Sequence, residues 1–321
     1  MLQDQWGREI TYLRVSVTDK CNLSCRYCEQ AKGVPFISHA DILRIEEMYR
    51  LVNLFVAEGI KKIRITGGEP LLAKGLLTFI EKIAGLELED ISLTTNGILL
   101  ATMAQDLKNA GLERVNISID SLDAKNYRWI TQGGDVNKVF AGIDAALAAG
   151  LHPVKLNVVV VRGLNDTEIW QMAKLAQNRP LHVRFIELMP IGESGIWSKK
   201  NFVSSEESKA LLTAQGCKLR PAKVRGNGPA EVFDIPNWCG TVGFIHAISN
   251  NFCSSCNRLR LTSDGKIYPC LHSGSSFDII SAIRQGASDE ELLAIMRQAV
   301  LAKPRRSAIG TQNNCMKTIG G

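Results

Sequence analysis

Short apolar runs alternate with longer amphipathic stretches along roughly the first 190 residues of the chain. The runs are rich in β-branched residues and predict strands at 11–17, 61–66, 90–96, 114–120, 154–161 and 181–187. Between them, apolar residues recur at helical spacing, which predicts helices at 45–58, 74–83, 103–110, 139–149 and 168–177. Nearly continuous apolar strands separated by helices are typical of a parallel sheet covered on both faces. The pattern therefore predicts an α/β fold.

Six strand–helix units form either an open doubly wound sheet or a partial barrel, and the length of the chain fits both. Polar residues on the predicted strands, or just after them, favour the barrel, because there they would meet at the carboxyl ends of the strands, where ligands bind. These residues are Arg64, Thr94, Asn96, Ser118, Asp120, Lys155, Asn157, Arg184 and Glu187. Some of them would be ordinary turn residues, for example Asp120 before Ser121.

The alternation of strands and helices ends near Pro190. A helix is predicted at 204–215, followed by a Gly- and Pro-rich stretch at 220–236 and short strands around 241–249 and 259–268. Two helices are predicted near 277–285 and 289–301. We therefore expect two units, a barrel at 1–189 and a smaller C-terminal unit at 190–321.

Composition narrows the class of protein. The 321 residues are 45% hydrophobic and carry a net charge of +6, which is ordinary for a globular protein and excludes a disordered or collagen-like chain. No apolar run approaches the roughly 20 residues that cross a bilayer, and the N-terminus lacks the features of a signal peptide. We therefore expect a cytoplasmic protein without a membrane partner. The sequence has no dense stripe of Lys and Arg, so it does not predict nucleic-acid binding. A basic pocket for a small polyanion is compatible with the net charge of +6.

Three of the nine cysteines, Cys21, Cys25 and Cys28, form a C-x3-C-x2-C motif directly after the first predicted strand. Three thiolates this close together can bind one metal centre. Zinc fits them poorly, because it usually takes four ligands and pairs spaced C-x2-C. An iron–sulfur cubane normally has four cysteine ligands, so three would leave one iron open to a ligand from outside the protein.

A second triplet, Cys253, Cys256 and Cys270, has the spacing C-x2-C-x13-C. Here zinc and an iron–sulfur cluster are about equally compatible with the spacing, since C-x2-C is a common zinc half-site and His272 could be the fourth ligand. The other cysteines, Cys217, Cys239 and Cys315, are isolated and are interpreted as ordinary thiols.

Motifs along the whole chain resemble one enzyme family. The first triplet, with Tyr27 before its third cysteine, and the later TGGEPLL at 66–72 resemble radical S-adenosylmethionine (SAM) enzymes. Further segments resemble the GTP 3′,8-cyclase family of molybdenum-cofactor biosynthesis: LRVSVTDKCNLSCRYC, LTTNG, VNISIDSLD, VKLNVVV, RFIELMPIG, CSSCNRLRLTSDGKIYPCL and the terminal Gly320-Gly321. These segments extend from residue 13 to residue 321, so the resemblance covers essentially the whole chain.

The resemblance implies a fold, an activity and cofactors. It implies an incomplete (β/α)6 TIM-type barrel with a smaller C-terminal domain that carries a second iron–sulfur cluster. Both triplets would hold a [4Fe-4S] cluster with one free iron. A 5′-deoxyadenosyl radical from SAM would abstract H3′ of GTP, and the product would be (8S)-3′,8-cyclo-7,8-dihydroguanosine 5′-triphosphate. The second cluster's open iron would bind the guanine base.

The resemblance also implies roles for individual residues. SAM contacts would fall on Tyr27, Gly68, Ser118 and Met189, and Glu69 could accept a hydrogen bond from the SAM ammonium, although a cap before Pro70 is its ordinary role. GTP contacts would fall on Arg14, Arg64, Thr94, Lys155, Arg258 and Arg260. Arg258 and Arg260, together with a flexible tail at Gly320 and Gly321, would act in catalysis; composition alone would favour a frayed end for that tail.

Partners and alternatives complete the expectations. The resemblance implies a reductase or flavodoxin-type electron donor, a downstream cyclic pyranopterin monophosphate synthase and a homodimer. One alternative is a radical SAM peptide-modifying enzyme with an auxiliary cluster. An alternative from another class is a non-catalytic metalloprotein with a structural zinc and a nucleic-acid partner.

Overall fold

The computed structural model describes residues 1–28, 37–191, 197–226, 228–272, 274–307 and 319–320. The strands are β1 (Tyr12–Ser16), β2 (Lys62–Thr66), β3 (Asp90–Thr95), β4 (Arg114–Ser118), β5 (Val154–Val160), β6 (Leu181–Glu187), β7 (Arg220–Ala222), β8 (Glu231–Asp234), β9 (Thr241–Ile245), β10 (Arg258–Leu261), β11 (Lys266–Tyr268) and β12 (Phe277–Asp278). The helices are α1 (Ile45–Ala57), α2 (Leu76–Ala84), α3 (Leu100–Asn109), α4 (Ala124–Thr131), α5 (Val136–Ala148), α6 (Ile169–Lys174), α7 (Ser205–Ala214), α8 (Ile280–Arg284) and α9 (Asp289–Leu301).

The strands form a single sheet in the order β12-β11-β10-β1-β2-β3-β4-β5-β6-β9-β8-β7. Strands β1 to β6 pair in parallel and in chain order, which confirms the predicted α/β class and the six predicted strands. Within the described residues the outer strands β12 and β7 are not hydrogen-bonded to each other, so the sheet is open. This arrangement is consistent with the expected incomplete barrel.

The two faces of the six parallel strands differ in chemistry. Successive side chains of a strand point to opposite faces. Leu13, Ile63 and Val183 are fully buried in the apolar core, as are helix residues such as Phe55 of α1 and Phe79 of α2. The residues next to them on the strands are polar and lie in register across the sheet, Arg14 beside Arg64 and Asn157 beside Arg184. A polar face is unusual for a parallel sheet that is covered on both sides. We call the face that carries these polar residues the inner face, and we expect the functional site to lie there.

The chain beyond residue 190 extends both edges of this sheet. Strand β9 pairs in parallel with β6, and the antiparallel β8 and β7 continue that edge. Strand β10 pairs in parallel with β1, and the antiparallel β11 and β12 follow. The boundary between residues 189 and 190 stays a prediction.

Several local predictions differ from the structure. Helix α4 was not predicted, and the Gly- and Pro-rich stretch at 220–236 contains the hairpin of β7 and β8. The strand predicted at 259–268 is two strands, β10 and β11, joined by a turn at Gly265. Gly265 has a φ of +65°, and a Cβ there would lie 2.4 Å from the Cβ of Ile280. The helix predicted at 277–285 begins as β12 and becomes α8 only at Ile280.

Candidate active site

A cavity of about 280 Å³ lies among the carboxyl ends of the parallel strands. The last residues of β2, β3, β4 and β6 line it: Thr66, Thr95, Ser118 and Glu187. The first cysteine triplet also lines it: Cys21, Cys25 and Cys28. A third group of lining residues is cationic: Arg14, Arg64, Arg184, Arg258 and Arg260. The cavity therefore brings soft sulfur ligands and buried positive charges into one space.

Backbone hydrogen bonds from two elements fix the loop that carries the first triplet. On one side, Gly68 N donates to the carbonyl of Thr18 at 2.7 Å. On the other side, Arg26 N donates to the carbonyl of Ile130 at 2.9 Å, and Ser24 N to that of Thr131 at 3.2 Å. Ile130 and Thr131 end helix α4, whose last carbonyls have no partner within the helix. The cysteine loop thus satisfies a helix end and is positioned by it.

Gly67 and Gly68 are required by the fold of this loop. A Cβ on Gly68 would lie 2.3 Å from the carbonyl oxygen of Lys20, and one on Gly67 would lie 2.7 Å from that of Thr18. Both glycines also line the cavity. Close packing against the backbone of the cysteine loop therefore requires glycine at both positions. The role of Gly68 in binding SAM stays a prediction.

Glu69 is buried, and three groups of the protein donate hydrogen bonds to its carboxylate. These donors are Leu71 N at 3.1 Å, Thr95 Oγ1 at 2.7 Å and Asn96 N at 2.7 Å. Burial raises the pKa of Glu69 to about 7, although the hydrogen bonds oppose this shift. Glu69 therefore acts as the cap before Pro70 and joins the loops that follow β2 and β3. A carboxylate can accept about four hydrogen bonds, so Glu69 could accept one more. A hydrogen bond from the SAM ammonium to Glu69 remains a prediction.

Tyr27 and Asp120 form a buried pair beside the first triplet. Tyr27 Oη donates to Asp120 Oδ2 at 2.5 Å, and Val159 N donates to Asp120 Oδ1 at 2.8 Å. Burial raises the pKa of Asp120 to about 6 and also raises the pKa of Tyr27. Asp120 therefore orients Tyr27 and is more than a turn residue. Its position directly after β4 was the sequence signal for this role.

The second triplet lies beside the same cavity. Residues next to its cysteines line the cavity: Phe252, Arg258 and Leu271. The guanidinium of Arg258 stacks over the ring of Phe252, with its Cζ 4.6 Å from the ring centroid. Burial alone would raise the pKa of Cys256, but the charges of Arg258 and Lys303 lower that pKa to about 7.

The spacing of the ligand atoms at the two triplets can be compared with that of a tetrahedral zinc site. A tetrahedral zinc with Zn–S bonds of about 2.3 Å places its sulfur ligands about 3.8 Å apart. In the described residues, three ligand atoms within 4.8 Å of one another occur at Glu206, Glu231 and His246, and neither triplet nor His272 forms such a group. Wider sulfur spacing fits a larger centre such as a cubane. At the Glu206 group, the Lys209 ammonium already donates to both glutamates.

The buried arginines make the cavity strongly cationic. Burial, and then the charges of neighbouring arginines, lower the pKa of Arg184 to about 9 and that of Arg260 to about 10. The pKa of Arg14 is lowered by burial and then by the charge of Arg260. In the described structure, buried Arg184 Nε and Thr94 Oγ1 have no hydrogen-bond partner. Buried cations and unpaired polar atoms of this kind suit a polyanionic ligand.

The structure brings most of the predicted contact residues to the cavity wall. These residues are Tyr27, Gly68, Ser118, Met189, Arg14, Arg64, Thr94, Arg258 and Arg260. Two predicted contact residues are not on this wall: Glu69, whose carboxylate is held by the protein's own donors, and Lys155, whose Nζ donates to the carbonyl of Arg225 below the cavity. Burial and then the charge of Arg184 lower the pKa of Lys155 to about 6. Arg184 and Asn157 line the cavity but had no assigned role, although their places on predicted strands were the available signal.

The C-terminal tail reaches the cavity. Arg260 Nη1 donates to the carbonyl of Ile319 at 3.1 Å and to that of Gly320. Gly320 has a φ of +75°, and a Cβ there would lie 2.4 Å from Oγ1 of Thr66. Gly320 is therefore packed and not frayed. Gly321 and Cys315 lie outside the described residues.

Comparison with known proteins agrees with this geometry. Residues 15–176 match the Radical SAM superfamily, and residues 181–309 match Molybdenum Cofactor Synthesis C. The fold resembles crystalline SuiB of Streptococcus suis bound to S-adenosylmethionine, with a TM-score of 0.58 at 13% identity over 84% of this chain and 63% of that one. The fold and the cysteine site are therefore those of the radical SAM superfamily.

Full-length relatives make the identification more specific. The chain is 50% identical to a protein named GTP 3′,8-cyclase from Moorella thermoacetica, over 100% of both chains. It is also 50% identical to a protein of that name from Desulforamulus reducens, over 99% of both chains. The chain belongs to the GTP 3′,8-cyclase family. In the described residues, no helix combines the length and apolar character needed to span a membrane.

Proposed function

We propose that this chain is a lyase that converts GTP to (8S)-3′,8-cyclo-7,8-dihydroguanosine 5′-triphosphate, the first step of molybdenum-cofactor biosynthesis. One observation carries the proposal: a cysteine triplet and five arginines, three of them buried and two half-buried, line the same cavity. The first group suits a redox-active metal centre, and the second suits a triphosphate. Neither a structural zinc protein nor a simple nucleotide-binding protein needs both groups in one space.

Two [4Fe-4S] clusters and SAM are the cofactors in this proposal. Cys21, Cys25 and Cys28 would hold one cluster, and the second triplet would hold the other: Cys253, Cys256 and Cys270. When bound, the N-terminal cluster and SAM supply the radical chemistry that removes the 3′ hydrogen of GTP. Since each cluster has three cysteine ligands, one iron at each remains for SAM or for the purine.

The chain's own residues would bind SAM and exclude water. Tyr27, Gly68, Ser118 and Met189 line the same cavity as the first cysteine triplet, which supports their predicted contacts with SAM. The hydrogen bond to Asp120 fixes the Tyr27 ring, and so limits how the ring can move beside the ligand. Buried apolar residues around the cavity keep bulk water from the reacting atoms.

The arginines would bind and orient the triphosphate. A guanidinium pairs bidentately with phosphate oxygens, and buried cations gain more from such a ligand than exposed ones. Arg14, Arg64 and Arg260 lie on adjacent strands in register, so their charges converge. Thr94 and the unassigned Arg184 supply further polar atoms at the same wall. Because Arg260 also holds Gly320, the tail at Gly320 and Gly321 would close the cavity beside the substrate.

Anaerobic reconstitution followed by incubation with SAM, a reductant and GTP tests the proposal. About eight irons and eight sulfides per chain are expected for two cubane clusters. The cyclised nucleotide should form, and 5′-deoxyadenosine should accumulate only when GTP is present. A protein with one zinc and no sulfide, or one that cleaves SAM without consuming GTP, would contradict the proposal. A Cys253→Ala variant should retain some SAM cleavage but form no cyclised product.

Relations to other molecules are part of the same proposal. A reductase or flavodoxin-type protein would donate the electron, and a cyclic pyranopterin monophosphate synthase would consume the product. We place the reaction in the cytoplasm and expect a homodimer, with the two-unit division at residues 189 and 190. Size-exclusion chromatography with light scattering tests the oligomeric state.

A further inference from the structure

Lys303 is a lysine almost completely removed from solvent, since the residue is 2% exposed. It follows helix α9 and lies behind the second cysteine triplet. Its ammonium donates to the carbonyls of Arg258 and Pro269, each at 2.7 Å, and interacts electrostatically with Cys256. A buried ammonium is costly unless its charge is compensated and its donors are used. Two backbone carbonyls accept from Lys303, and neutral carbonyls leave its positive charge to be compensated by another group.

The compensating groups are sulfur atoms. Lys303 interacts electrostatically with the thiols of Cys256 and Cys270. Cysteines that ligate a metal are thiolates, so they carry the negative charge that a buried ammonium needs.

The hydrogen bonds of Lys303 also connect the parts of the chain that carry the cysteines. Arg258 lies two residues after Cys256 and begins β10, and Pro269 directly precedes Cys270. The Lys303 ammonium therefore links the segment after Cys256 to the segment before Cys270 and fixes the distance between them.

The segment after Lys303 reaches the remaining cysteine of the triplet. Ser307 N donates to Cys253 Sγ at 3.4 Å. Arg8 donates to the carbonyl of Cys253 at 2.6 Å and to that of Pro304 at 2.8 Å. The chain at 303–307 thus contacts the cysteine that Lys303 itself does not reach.

We propose that Lys303 is a positioning residue of the second metal centre, which holds Cys256 and Cys270 in place and stabilises the negative charge of the ligated cluster. The inference rests on the proposed function for the identity of that cluster. Reduction adds a negative charge to an iron–sulfur cluster, and a buried cation nearby favours the more negative state. Lys303 therefore raises the reduction potential of the second cluster.

The test isolates this cluster in the full chain by replacing Cys21, Cys25 and Cys28 with Ala. Redox titration followed by electron paramagnetic resonance then measures the ratio of reduced to oxidised cluster. Lys303→Met should lower that ratio at least about tenfold at a given potential, which equals a fall of about 59 mV for one electron. Lys303→Arg, which retains the charge, should restore most of the ratio. Lys266→Met is the matched control, because Lys266 lies on β11 but pairs with Asp264.

An unchanged ratio in Lys303→Met would overturn the role of Lys303 and leave the proposed function standing. If Lys303→Met fails to hold the cluster, the variant is made in the chain with both triplets. Loss of iron and sulfide from the second site alone, with unchanged circular dichroism of the apoprotein, supports the inference. Loss of helix from the apoprotein would overturn it, because Lys303 would then be required by the fold in general. Absence of sulfide from the parent chain would refute the cofactor assignment and this inference together.

Discussion

At the scale of single residues, Arg184 offers a direct test of how the cavity binds its substrate. Its Nη2 donates to Asn116 Oδ1 at 2.7 Å, whereas its buried Nε has no partner in the described structure. We expect Arg184→Met to raise the KM for GTP about 10- to 100-fold, because a hydrogen bond between charged groups contributes about 1.5–3 kcal/mol. Steady-state kinetics with saturating SAM measure this effect.

The control for this substitution is Arg179→Met. Arg179 precedes the same strand, is partly exposed and pairs with Asp144 at the surface. Its replacement should leave the KM for GTP unchanged. Equal values of KM in the Arg184 variant and the parent protein would show that the unpaired guanidinium nitrogen does not contact the nucleotide.

The lowered pKa of the Lys155 amine predicts that GTP binding depends on pH. Burial and then the charge of Arg184 lower the pKa of Lys155 to about 6, so its amine is mostly neutral at pH 7.5 in the free protein. A triphosphate nearby favours the ammonium and raises this pKa, so binding takes up a proton between the two pKa values. GTP should therefore bind more tightly as the pH falls from 8 towards 6, with no further gain from Lys155 below about 6.

Isothermal titration calorimetry in buffers of different ionisation enthalpy measures this proton uptake. The quantity to compare is the difference between the parent protein and Lys155→Met, because the γ-phosphate of GTP titrates in the same range in both. The variant should lose the uptake of up to one proton. Identical uptake in the two proteins would mean that Lys155 lies too far from the triphosphate to respond to it.

The register of β5 explains why Lys155 was predicted at the cavity and found below it. Lys155 and Asn157 both point to the inner face, as the alternation of a strand requires. Asn157 lies beside Arg184 in β6, at the height of the cavity, whereas Lys155 lies two residues lower beside His182. The sequence predicts the face of a strand residue. It does not predict height within a barrel, which depends on how neighbouring strands are staggered.

At the scale of elements, Gly68 tests the link between the loop after β2 and the cysteine loop. A Cβ at Gly68 would lie 2.3 Å from the carbonyl oxygen of Lys20, so Gly68→Ala must displace the chain just before Cys21. We expect the variant to keep its fold and its second cluster but to lose about four of about eight irons. Iron and sulfide analysis after reconstitution measures this loss.

Gly85→Ala is the matched control for Gly68→Ala. Gly85 ends helix α2 with ordinary helical dihedral angles, and a Cβ there would meet only the carbonyl of Lys82 at 3.5 Å. This variant should hold both clusters. Full iron content in Gly68→Ala would show that the cysteine loop tolerates the displacement.

The elements also show where pattern analysis succeeds and where it fails. Helices such as α1 and α5 were predicted because their buried residues recur at helical spacing. Helix α4 has few buried apolar residues, namely Tyr127 and Ile130, and its best signal is the Asp123 cap, which accepts from Asn126 N. The hairpin of β7 and β8 lies at the sheet edge, where short and partly exposed strands leave only a weak pattern.

At the scale of the whole molecule, the sheet joins residues that are far apart in sequence. Strand β10 lies beside β1, so Arg260 is in register with Arg14, which is in register with Arg64. These three arginines therefore come together only when the N- and C-terminal parts of the chain pair in the sheet. No local pattern predicts this pairing. Only the resemblance to a known family placed these arginines in one site, whereas the cysteine motifs were evident from spacing alone.

The packed tail extends this dependence to the last residues of the chain. Ile319 and Gly320 accept hydrogen bonds from Arg260, and a Cβ on Gly320 would lie 2.4 Å from Oγ1 of Thr66. Gly320→Ala should therefore expel the tail from the cavity and abolish cyclisation, while iron content stays that of the parent protein. Gly286→Ala separates this clash from backbone strain, because Gly286 has a similar φ of +83° but no atom within 4 Å of its Cβ position. Cyclised nucleotide is measured by chromatography, and equal turnover in the two variants would show that the tail is not needed in the cavity.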